Sequence, residues 1–197
     1  MANDEYEFIA VCRHAHGVLI TLLSHTLKTA LLAELLEAVR SIETQRLVIS
    51  GRNGFFAAGA DIAELTALDG PRALDYSRLG QSVYNGIANH SSVTVAAIDG
   101  YCMGGGLDLA LACDLRYATK TSTFAHPGGR IGIMTGWGGT HRLPRIIGRS
   151  RALEMMAVGR RLNATEALDW GLISAITSNP LRILTSPDWL AGSDALP

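Results

Sequence analysis

The run Val-Thr-Val-Ala-Ala-Ile at 93–98 constrains the fold of this chain more than any other feature. It is short, rich in β-branched residues and nearly all apolar, so it reads as a strand with no face to give to water. Such a strand belongs in a parallel sheet covered on both sides. Short apolar runs between turn signals mark further strands at 8–12, 18–22, 46–50, 114–118 and 172–176, with a turn at Ala15-His16-Gly17 between the first two.

Helical spacing fills the gaps. Over 28–42, Leu31, Leu35, Val39 and Ile42 recur on one face, while Lys28, Glu34, Glu37 and Arg40 face away. Pro71 suits the first position of a helix that carries Leu74, Leu79, Val83 and Ile87 on one side. Asn163 and Glu166 make a capping-box pattern, with Gly171 as the stop signal. Strands alternating with helices predict an α/β architecture. The reading is one domain over 1–176 and an irregular tail over 177–197, with Leu181, Ile183 and Trp189 as candidate anchors to a neighbour.

Composition narrows the function. A chain of 197 residues, 48% hydrophobic, is ample for a sizeable core. A net charge of −1 argues against nucleic acid or a membrane surface as partner, since both usually need a basic face. Cys12, Cys102 and Cys113 are odd in number and widely spaced, so neither a disulfide framework nor a zinc site is expected. The acidic start lacks a signal pattern, and no apolar run approaches the roughly 20 residues of a membrane span. A cytoplasmic protein is the expectation.

Two glycine-rich turns carry the chemical signal. One is Gly54-Phe55-Phe56-Ala57-Ala58-Gly59-Ala60-Asp61-Ile62, after the strand ending near Ser50. The other is Gly100-Tyr101-Cys102-Met103-Gly104-Gly105-Gly106-Leu107-Asp108, after the strand ending at Ile98 and before an apolar helix. Small residues let backbone approach a ligand closely. A helix that starts on glycines presents free N–H groups and the positive end of its dipole, which can hold a phosphate or a developing oxyanion. Taken alone, the triple glycine reads as tight helix–sheet packing, and the dinucleotide order G-x-G-x-x-G is absent.

In this order and with their flanks, the two turns resemble the crotonase family, the enoyl-CoA hydratase/isomerase superfamily. The stretches that carry the likeness are FFAAGADIAEL (55–65), VAAIDGYCMGGGLDLALACDLRYA (95–118) and the segment from Phe124 to Ser174, within roughly 7–176. The resemblance implies a crotonase-like spiral of repeated β-β-α units, with the family's C-terminal helical region largely missing and the pocket correspondingly open. It implies an acyl-CoA substrate, coenzyme A being part of that substrate and not a resident cofactor, and no metal. Ala60 and Gly105 would donate the two backbone N–H groups that hold the thioester oxygen as it gains enolate charge. Asp108 falls where hydratases carry the first of two glutamates and would act as general base. Gly128 falls where they carry the second, so half of the hydratase's acid–base pair is absent. Ala58, Asp61, Ile62, Gly104, Gly128 and Trp137 would touch the substrate.

The resemblance also implies a homo-oligomer, a trimer or hexamer. His126, two residues before the vacant position 128, could supply a titratable group there, with a hydrogen-bonded structural histidine as the favoured reading; His141 reads as structural. The run Arg142, Arg145, Arg149, Arg151, Arg160 and Arg161 reads mostly as a solvated helix face, with CoA phosphates or a neighbouring subunit as the other reading. Two alternatives stay open beside hydratase or isomerase chemistry. One is a non-catalytic acyl-CoA binder. The other is a CoA-ester hydrolase or decarboxylase, for which Gly128 would leave room for a substrate carboxylate or bound anion.

Overall fold

The computed structural model describes residues 6–186. Strands β1 (Ile9–His14) and β2 (Gly17–Leu22) form an antiparallel hairpin that runs to its turn, with His14 opposite Gly17. That pairing carries β1 two residues past the predicted 8–12. The short β3 (Thr26–Leu27) leads into α1 (Thr29–Ser41), which buries Leu31, Leu35 and Val39 as its spacing predicts.

From there the chain repeats one path. A strand enters a large sheet, a shorter strand enters a small sheet, and a helix returns the chain. The first circuit is β4 (Arg46–Ser50), β5 (Phe55–Ala57), β6 (Gly59–Ala60), α2 (Ile62–Thr66) and α3 (Gly70–Ala88). The second is β7 (Val93–Ile98), β8 (Tyr101–Met103) and α4 (Gly105–Ala112). The third is β9 (Leu115–Ala118), β10 (Thr123–Ala125), a 3-10 turn at Pro127–Ile131, α5 (Gly139–Ile147) and α6 (Arg149–Ala157). The last holds β11 (Arg161–Asn163), α7 (Ala164–Asp169) and β12 (Ala175–Ile176). The large sheet runs β1-β2-β4-β7-β9-β12 and the small one β11-β10-β8-β5. Successive circuits therefore stack as parallel neighbours, β4 on β7 on β9 and β5 on β8 on β10. This is a spiral of β-β-α units.

The central strand β7 is covered on both faces. Ala96 and Ile98 join the main core under the helices, whereas Val95 and Ala97 pack with Val48 against Ile183 and Leu184. Those last two belong to a 3-10 turn at Pro180–Leu184 that lies on the outer side of the sheet, so Ile183 is buried within this chain itself. Trp189 lies outside the described residues.

Three local readings need correction. In α3 the buried side runs through Tyr76, Gly80, Val83, Tyr84 and Ile87, and Leu74 is half exposed. The tyrosine rings take the core because their hydroxyls find carbonyls, Tyr76 at Leu27 (2.8 Å) and Tyr84 at Gly105 (3.0 Å). The strand expected over 172–176 is reduced to Ala175–Ile176, because the Leu172 and Ile173 amides close the end of α7 on the Ala167 carbonyl. Asp114 precedes β9 instead of starting it, and its carboxylate accepts from the Thr94 amide and hydroxyl. The capping box of Asn163 and Glu166 is present, and Gly171 follows with a positive φ of 75°. No helix among the described residues is long and apolar enough to cross a membrane.

Candidate active site

The small sheet brings the two glycine-rich turns together. Phe55 pairs with Tyr101 and Ala57 with Cys102, so the segments leaving β5 and β8 run side by side. A Cβ placed on Gly59 would lie 2.9 Å from the Gly105 amide nitrogen, and one on Gly105 would lie 3.5 Å from the Ala60 amide nitrogen. The two amides thus occupy one small region, and only side-chain-free residues at 59 and 105 allow it. Gly105 opens α4, so its N–H has no partner within the helix and sits at the positive end of the dipole. From behind, the Tyr84 hydroxyl donates to the Gly105 carbonyl. Burial, reinforced by the charge of Asp108, raises the Tyr84 phenol well above its ordinary range, so it remains a donor.

In front of the amides lies a cavity of about 290 Å³. Ala58, Ala60, Ile62, Gly104, Gly105, Asp108, Gly128 and Trp137 all line it. Asp61 does not. Its carboxylate caps α2, accepting from the Glu64 amide at 3.0 Å and the Thr26 hydroxyl at 3.1 Å, with Lys28 at 3.7 Å. The Glu64 amide, then Thr26 and Lys28, hold this carboxyl below its usual range against the opposing effect of desolvation. An aspartate one residue before a helix satisfies orphan amides better than it serves a pocket.

Asp108, in the first turn of α4, is fully buried. Its Oδ2 accepts from the Thr135 hydroxyl. Its Oδ1 lies 3.1 Å from Nε2 of His126, which is 4% exposed and follows β10 directly. The two atoms are close but off the axis of a hydrogen bond, and neither has another hydrogen-bond partner among the described residues. On the other side, a Cβ at Gly139, the first residue of α5, would overlap Oδ1.

Gly128 carries no acid, and its vacant side is not open. A Cβ there would lie 2.5 Å from the Ile133 carbonyl oxygen, and the Ile133 amide donates back to the Gly128 carbonyl at 2.9 Å. The space expected for a substrate carboxylate or bound anion therefore holds an electron-rich oxygen. Trp137 forms the inner wall. It is 6% exposed, meets Tyr76 and Tyr84 edge-on at 5.1 and 5.5 Å, and abuts Gly105. Ile62, Ile131, Ile133 and Met134 form an exposed apolar rim.

Thr135 and Tyr84 are groups the sequence reading left out, and His126 is one it read as structural. His126 had one signal, its place two residues before the vacant position 128. Thr135 and Tyr84 had none, because they act through contacts between different circuits of the spiral. His141 is exposed. Of the arginine run, Arg142 donates to the Trp137 carbonyl and to Asn85, and Arg160 pairs with Glu154 and Glu166 while stacking on Trp170, whereas Arg145, Arg149, Arg151 and Arg161 are exposed.

Comparison with known proteins places the chain in a family. The family model described as enoyl-CoA hydratase/isomerase matches residues 19–184. A probable enoyl-CoA hydratase of Bacillus subtilis is 36% identical over 87% of this chain and 69% of its own length. A crotonyl-CoA hydratase of Syntrophomonas wolfei is 34% identical over 82% of this chain, which spans 64% of that protein. The crystal structure of an enoyl-CoA hydratase from Bacillus anthracis superposes with a TM-score of 0.81 at 31% identity, covering 91% of this chain and 72% of that one. On the match of sequence, spiral and glycine turns, the chain belongs to the enoyl-CoA hydratase/isomerase family.

Proposed function

We propose that this protein binds acyl-CoA thioesters and stabilises the enolate formed at their α-carbon. One observation carries the reading: the Ala60 and Gly105 amides lie together on the wall of the cavity that Asp108 also lines. Donors fixed before the reaction stabilise developing charge without reorganising, and one such donor is worth about 2.7–4 kcal/mol. The thioester oxygen sits between the two amides, and the Asp108 carboxylate faces the α-proton. The proton leaves to Asp108, and the electron pair moves into the enolate, with its charge on that oxygen.

Water addition has less support than α-proton chemistry. A hydratase of this family needs two acid–base groups on one water, and Gly128 supplies none. Crotonyl-CoA is therefore expected to be hydrated slowly or not at all. The direct test is deuterium incorporation at the α-carbon of saturated and unsaturated acyl-CoAs in heavy water, followed by mass spectrometry. Exchange that disappears in Asp108→Asn supports the reading. A normal rate of crotonyl-CoA hydration that is untouched by Asp108→Asn would refute it.

Binding without turnover is the second reading. It is favoured by the Ile133 carbonyl, which fills the side of Gly128 where an acid would stand. Saturable acyl-CoA binding with no exchange at any acyl length would select it.

A further inference from the structure

We propose that His126 is the proton partner of Asp108, so that acid–base chemistry in this cavity is carried by a buried carboxylate–imidazole pair. The inference rests on the enolate reading above and names the group that receives the proton. Three observations point to it. First, Asp108 Oδ1 and His126 Nε2 are 3.1 Å apart, both residues are nearly or fully buried, and both line the cavity. Second, neither atom has a well-aligned hydrogen bond. Leaving such atoms unsatisfied in the interior is costly, so a protein keeps them where a ligand or a moving proton completes them. Third, Asp108, His126 and Tyr76 are the titratable residues that line the cavity among the described residues. Burial raises the Tyr76 phenol, whose hydroxyl is committed to the Leu27 carbonyl. That leaves the imidazole, a group that readily both takes up and releases a proton.

The sequence of events balances without a further reactant. The α-carbon–hydrogen bond breaks and its proton passes to Asp108. The electron pair enters the enolate, whose oxygen lies between the Ala60 and Gly105 amides. The proton moves on to Nε2, giving an imidazolium beside a restored carboxylate. Return of the proton to the α-carbon gives exchange; return to the γ-carbon of an enoyl chain moves the double bond. Thr135 keeps Oδ2 occupied and so directs the exchange through Oδ1. The pair stands in for the carboxylate that position 128 lacks.

The experiment compares α-proton exchange in heavy water, acyl-CoA affinity and melting temperature for the wild-type protein, His126→Gln and His126→Ala. Loss of one acid–base group is expected to slow exchange by about 10²- to 10⁴-fold while leaving affinity nearly unchanged. Added imidazole is expected to restore exchange to His126→Ala, which a purely structural role would not allow. If His126→Ala does not fold, His126→Asn replaces it in the rescue. Exchange in His126→Gln at close to the wild-type rate overturns the proposal, as does imidazole without effect on a folded small-residue variant. No exchange by the wild-type protein removes the enolate reading itself, and this pair with it.

Discussion

Gly139 and Asp108 are fitted to each other: the first residue of α5 lies so close to the buried carboxylate that a methyl group at 139 would overlap Oδ1. The same methyl would also meet the Thr135 side chain at 2.8 Å. Residue 139 thereby fixes where the carboxylate sits relative to the two amides.

Gly139→Ala is therefore expected to disturb both folding and chemistry. Overpacking of this kind costs about 1–3 kcal/mol, to be read from urea denaturation. The carboxylate must shift as well, so α-proton exchange should fall even where the variant is fully folded. An unchanged exchange rate would show that the position of Asp108 is not critical.

Gly105→Ala tests the amides. The new methyl would lie 2.6 Å from the Trp137 ring and 3.5 Å from the Ala60 nitrogen, crowding the place proposed for the thioester oxygen. The amide itself remains, so the variant displaces the donor instead of deleting it, and exchange should drop by up to the roughly 10²- to 10³-fold that complete loss of one oxyanion donor brings. Circular dichroism and acyl-CoA binding separate this effect from loss of fold.

Tyr84→Phe removes the hydroxyl that holds the Gly105 peptide from behind. A single neutral hydrogen bond contributes about 0.5–1.5 kcal/mol, and the melting temperature should fall accordingly. Exchange should slow as well, because the Gly105 amide loses its support while Asp108 is untouched.

Alkaline pH should destabilise the fold. Burial pushes the Cys113 thiol up to about 12, and Cys102 well above its ordinary value. In the unfolded chain both ionise from about pH 9 upward, while in the folded chain they stay protonated. Their contribution to stability is thus complete below about pH 9 and is lost as pH climbs toward the folded values, by roughly 1.4 kcal/mol per unit for each thiol. Urea midpoints compared at about pH 8 and about pH 10 should show the decline. At the lower pH a thiol reagent should modify Cys12, which is exposed, well before the two buried cysteines.

The α/β alternation and the two glycine-rich turns were legible because they depend on short-range pattern, whereas the spiral and the pairing of Ala60 with Gly105 came only from the family resemblance. The apolar run at 93–98 announced a strand covered on both faces, and Asn163, Glu166 and Gly171 announced a helix with its start and stop. Asp61 shows where pattern misleads. Its place beside Ala60 suggested substrate contact, yet an aspartate directly before a helix is drawn to the helix's own amides. In α3, spacing favoured Leu74 and overlooked the tyrosines, because a tyrosine enters a core only when a distant carbonyl accepts from its hydroxyl, and Leu27 and Gly105 come from other parts of the chain. His126 was read as structural for the same reason: nothing near it in sequence announces that β10 ends beside the first turn of α4.

The seat proposed for the negative oxygen rests on neighbouring rungs of the small sheet, since β5 and β8 pair through their main chains before Ala60 and Gly105 are reached. Main-chain pairing makes few demands on side chains except at Gly59 and Gly105, where a Cβ would strike the Gly105 amide and the Trp137 ring. On the proposed reading, a change at Asp108, His126 or Gly128 would leave the two amides in place, so the cavity could take a different chemistry on the same anchor.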